Sequence, residues 1–86
     1  MIGANRDAGT REIAHVVELI KPILAGREPI VQGAVLADLL AIWLAGHQVE
    51  GDAEATRKLR GDILATHLLM VEELTAVNAR IIGAVP

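Results

Sequence analysis

Four polar side chains fall where the surrounding sequence calls for apolar ones, and they are the residues best placed to do chemistry. Asp38 lies in a stretch, residues 29–46, whose only other polar member is Gln32. Arg60, His67 and Asn78 project from the middle of a helical stripe formed by Ile63, Leu64, Leu68, Met70, Val71, Leu74, Val77 and Ile81. A buried charge must be paired, so Asp38 with Arg60 or His67 is the expected contact. The ordinary reading is a satisfied polar lock that fixes helix register or partner geometry. A ligand pocket built on Asp38, Arg60, His67 and Asn78 is the alternative. General acid–base work by His67 has less to support it, because no nucleophile lies within sequence reach.

Three further patterns carry weaker chemistry or none. Glu12-Ile13-Ala14-His15 has the Glu-x-x-His spacing of carboxylate-bridged di-metal bundles. Its Glu and His point away from the Ile13/Val17/Ile20/Leu24 face, whereas such ligands must project inward, so a solvated face is expected and no metal or other cofactor is assigned. Arg57-Lys58-Leu59-Arg60 opens a helix after a turn and another helix, as in a helix-turn-helix. The turn is longer than the usual 3–4 residues, and Asp52, Glu54 and Asp62 offset the bases. Glu72-Glu73, opposite the apolar stripe with Ala65, Thr66 and Ala76, reads as solvated; Leu69 among them marks a smaller second contact.

A fifth pattern concerns assembly. Gly33, Ala37, Ala41 and Ala45 recur every four residues, which stacks small side chains along one side of a helix and lets another backbone approach. Alanine is simply a good helix former, but glycine is a poor one and Gly33 needs another reason. These four are the candidate oligomer seam.

The elements that must position these residues follow from composition and periodicity. Eighty-six residues make one domain, a size that buries only about 60–65 % of its unfolded surface. The chain is 52 % hydrophobic, yet Trp43 is its only aromatic residue, and its mean hydropathy is +0.42. Ala, Leu, Ile and Val must therefore build the core, and so much apolar surface on so small a body predicts a partner. The net charge of −3, with acids and bases interspersed, argues against a general phosphate-backbone binder. With no Cys there is no disulfide, thiolate metal site or Cys nucleophile, a composition that fits a cytoplasmic setting. The N-terminus lacks the order of a signal peptide. The longest apolar stretch, residues 33–46, is interrupted by Asp38 and falls short of the roughly 20 residues a membrane span requires.

Residues 1–9, with Gly3, Asn5, Asp7 and Gly9, read as a flexible N-terminal arm, and residues 10–86 as a single helical domain. Thr10 is expected to cap a first helix carrying Ile13, Val16, Val17, Ile20, Ile23 and Leu24 on one face, weakened late by Pro22 and ended by Gly26. Pro29 is pre-shaped for the first position of a second helix, which stops at Gly46. Asp52 is a good N-cap for a third, periodic from about 53 to 82. Unbroken, it would be about 45 Å long, against a diameter of roughly 30 Å for a compact domain of this size. It must break near Gly61-Asp62 or project and be covered by a partner.

The expected fold is all-α, a small bundle of about three helices packed in a homo-oligomer, most simply a dimer. The expected role is that of a non-enzymatic interaction or accessory module, with itself and possible further proteins as partners. Alternatives are a small-molecule- or metal-binding protein with its site at a subunit seam, and, third, a DNA-binding regulator.

Overall fold

The computed structural model describes residues 2–85, with side chains from residue 7 onward. Its regular structure is α1 (Ile2–Leu24), α2 (Pro29–Ala45) and α3 (Ala53–Ile82), with no strand among the described residues. The chain divides into two compact units, Met1–Leu36 and Ala37–Pro86, so the division falls inside α2.

In the first unit α1 starts at Ile2 rather than after a Thr10 cap. Asn5 and Gly9 are weak helix formers, but Ala4, Arg6 and Ala8 beside them are strong ones and carry the helix through. Pro22 lacks the N–H of an interior residue and sits in the final turn, where the helix ends at Leu24. Gly26 then takes φ +79°, a left-handed turn suited to glycine. The carbonyls left open at the end of α1 are taken by side chains from beyond it. Arg27 Nε donates to the Ile23 carbonyl at 2.7 Å, and Gln32 Nε2 donates to the Leu24 carbonyl at 2.9 Å. One of the two polar residues of α2 thus caps α1.

In the second unit Asp52 caps α3, its carboxylate accepting the Ala55 N–H at 2.9 Å. The Thr56 hydroxyl accepts the Val49 N–H at 3.0 Å and donates to the Asp52 carbonyl at 2.8 Å, tying the preceding loop to the first turn. At the other end Gly83 is left-handed at φ 76°. The Ala84 and Gly83 N–H groups bond the Ala79 and Arg80 carbonyls at 2.8 and 3.3 Å, the paired closure of a Schellman cap. Between these caps α3 runs 30 residues without a break at Gly61.

The two halves of α3 differ. Ala55, Thr56, Leu59, Arg60, Ile63, Leu64 and His67 are half-buried, and Leu40, Leu44 and His47 are their half-buried counterparts on α2 and just after it. From Leu68 to Ile82 every residue except Ala76 and Ala79 is exposed. Among the described residues Ala79, 8 % exposed, is the only buried apolar one.

Candidate functional site

The chemistry-bearing residues of the second unit gather around Trp43. Its ring lies edge-on to His47, centroids 5.1 Å apart at 80°, and tilted against His67, 5.4 Å apart at 49°. His47, just past the end of α2, is held by a hydrogen bond between its Nδ1 and the Trp43 carbonyl at 2.8 Å. Beside the indole opens a cleft of about 280 Å³ lined by Trp43, Asp62, Ile63, Thr66, His67 and Met70. One helical face supplies five of the six, since 62, 63, 66, 67 and 70 follow the spacing of neighbours on a helix. The Asp62 carboxylate on the rim is paired with Lys58 Nζ at 2.7 Å. That hydrogen bond first, and then the charge of Asp62, raise the Lys58 pKa above its ordinary 10.5. The cleft can take an apolar group against an aromatic wall, with imidazole and hydroxyl at its edge.

The four polar residues singled out by sequence are not brought into one site. Only His67 lines the Trp43 cleft. Asn78 lines a separate groove farther along α3, of about 390 Å³, with Val71, Leu74, Thr75, Ala79 and Ile82. Asp38 is exposed and forms no ion pair with Arg60 or His67. Arg60 is committed elsewhere: Nε donates to the His47 carbonyl at 3.0 Å and Nη2 to the Ala45 carbonyl at 2.9 Å. The expected Asp38–Arg60 pairing is therefore replaced by an arginine cap on α2. Periodicity marked Arg60 as misplaced on an apolar face. A further signal lay in the last turn of α2, which has no basic residue of its own to meet its free carbonyls.

The remaining patterns sit as follows. Arg57 pairs with Glu54 at 3.1 Å and Lys58 with Asp62, so with Arg60 capping α2 all three bases near the start of α3 have partners within the chain. Glu12 and His15 are both exposed, and among the described residues no group of three or more His, Cys, Asp or Glu side chains could hold a metal ion. Gly33, Ala37, Ala41 and Ala45 are exposed, and a Cβ built on Gly33 would meet nothing within 4 Å. Leu69 is exposed, as are Glu72 and Glu73. No helix among the described residues is long and apolar enough to cross a membrane. The pairing of Trp43 with His67 escaped the sequence because it joins two helices 24 positions apart, a distance over which periodicity is silent. Compared with known protein families, curated proteins and solved structures, the chain matches none.

Proposed function

We propose that the chain is a non-enzymatic helical interaction module that assembles with itself, most simply as a closed two-fold dimer, in the cytoplasm. One observation carries this reading: α2 has no polar face. Gln32 and Asp38 are its only polar residues, and Ile30, Val31, Val35, Leu36, Leu39, Ile42 and Trp43 are 37–78 % exposed. A helix apolar nearly all round belongs in an interior, and two companion helices in one short chain cannot surround a third.

Magnitudes support a partner. Fixing the backbone costs roughly 1–2 kcal/mol per residue, offset mainly by apolar burial at about 25 cal/mol per Å². A lone chain in which Ala79 is the one buried apolar residue among those described has little to set against that cost. The described residues include 23 large hydrophobic side chains that are substantially exposed, as many residues as one side of a standard protein–protein interface, about 20–30. Two-fold dimers are the commonest closed assembly.

The test is sedimentation or light scattering across micromolar concentrations. Twice the 9.1 kDa chain mass, or a higher closed multiple, is the expected result; a monodisperse monomer overturns the reading. A second reading, an apolar small molecule seated against Trp43, draws on the cleft that Trp43, Ile63, His67 and Met70 line. It predicts a ligand-dependent rise in melting temperature that Trp43→Ala abolishes.

A further inference from the structure

We infer that the uncovered half of α3 is a self-pairing surface, on which Asn78 of one chain meets Asn78 of a second copy. This rests on the self-assembly proposed above and adds which face closes and what sets its register. The groove on this half is lined by Val71, Leu74, Thr75, Asn78, Ala79 and Ile82. Residues 71, 74, 75 and 78 stand at i, i+3, i+4 and i+7, and so do 75, 78, 79 and 82. Each set of four is the hole that receives one side chain of a facing helix in knobs-into-holes packing. Thr75 and Ala79 form a low floor, and Leu68, Val71, Leu74, Ile81 and Ile82 stand around it, 43–77 % exposed.

Asn78 identifies the occupant. Its Nδ2 donates to the Leu74 carbonyl at 2.8 Å, and the Thr75 hydroxyl donates to the Val71 carbonyl at 2.6 Å. Thr75 is thereby satisfied on its own helix, whereas Asn78 keeps a second N–H and a carbonyl oxygen to spare. An apolar partner laid along this groove would strand that amide away from water. The apolar face of α1, with Ile13, Val16, Val17 and Ile20, offers it no bond either. A second copy whose α3 runs parallel to the first about a two-fold axis places an identical amide opposite, donor to acceptor and acceptor to donor, because such a contact is self-complementary. A single asparagine on a helical seam specifies register and the number of strands at some cost in stability.

Because the chain has no cysteine, site-directed cross-linking reads this contact without background. Asn78→Cys and Val71→Cys, each as the full chain under mild oxidation, should form a covalent dimer on the order of tenfold faster than Glu73→Cys on the opposite face, since only facing Cβ atoms meet disulfide geometry. Asn78→Leu should raise the melting temperature while broadening the distribution of oligomer sizes. Should the chain be multimeric but Glu73→Cys cross-link as fast as Asn78→Cys and Val71→Cys, the α3 pairing is wrong and self-assembly stands. A narrow, unchanged size distribution for Asn78→Leu would likewise overturn the register role. A monomeric chain would overturn the assembly reading itself, and the pairing with it.

Discussion

Arg60 reaches back from the second turn of α3 to the His47 carbonyl, 3.0 Å from its Nε, while its Nη2 holds the Ala45 carbonyl at 2.9 Å. Both acceptors belong to the end of α2, where carbonyls without intrahelical partners carry partial negative charge. A planar guanidinium can meet two of them at once. One side chain thereby joins α2, the connecting loop and α3. Arg60→Met should lower stability by about 1–2 kcal/mol, the lower end for hydrogen bonds to a charged group because the site is partly exposed. Arg60→Lys should restore less than half of the loss, having no fork. Urea midpoints at matched protein concentration check both.

With Arg60 occupied in this way, Asp38 and Arg60 should behave independently. The double-mutant cycle of Asp38→Ala with Arg60→Met is expected to be additive within about 0.5 kcal/mol. Coupling well above that would show a contact between the two side chains in the assembled protein.

The small-residue row on α2 is open in the single chain and is proposed to close in the assembly. Ala41→Leu should then cost about 1–3 kcal/mol through overpacking. Ala65→Leu, on the solvated side of α3, should change stability by no more than about 0.5 kcal/mol. Equal denaturation midpoints for the two variants would remove the seam.

Lys58 supplies a pH-dependent prediction. Its folded-state pKa is raised by the hydrogen bond to Asp62 and then by the Asp62 charge. A raised lysine contributes stability that is fully present below its ordinary 10.5 and is lost as pH rises through the higher folded value. The Lys58 ammonium should therefore titrate higher in the native chain than in Asp62→Asn, as followed by NMR of its side-chain carbons. Near neutral pH both proteins should show the full charge on Lys58.

Much of this architecture was legible in the sequence because it is local. The apolar spacing of Ile13 to Leu24 and of Ile63 to Ile81, Pro29 at the first helical position and Asp52 as a cap each depend on a few neighbouring residues. The end of α1 was also readable, since Pro22 and Gly26 act on their own backbone. The start of α1 was not, because the strong helix formers around Gly9 outweigh a glycine that alone suggests a boundary. At Gly61 the sequence left a break and a continuous helix both open: open space around it and good formers on both sides leave α3 continuous. Of the site, sequence marked His67 and Asn78 as polar residues on an apolar stripe but placed them with Asp38 and Arg60. Arg60 at the end of α2, Gln32 at the end of α1 and Trp43 against His67 are contacts between separate elements, and no periodicity encodes those.

The unequal halves of α3 have a consequence for how the molecule breathes. Up to His67 the helix is held by Arg60, by the Trp43 contact and by half-buried neighbours; beyond it, only the Schellman cap and the helix's own hydrogen bonds hold fifteen residues in place. Local opening free energy follows such support, so backbone amides should exchange with deuterium slowly to about residue 67 and much faster beyond. The segment that offers this apolar groove is then also less rigid on its own than the first half of α3. Whatever covers it freezes it, and slowed exchange between Leu68 and Ile82 becomes a direct gauge of occupancy.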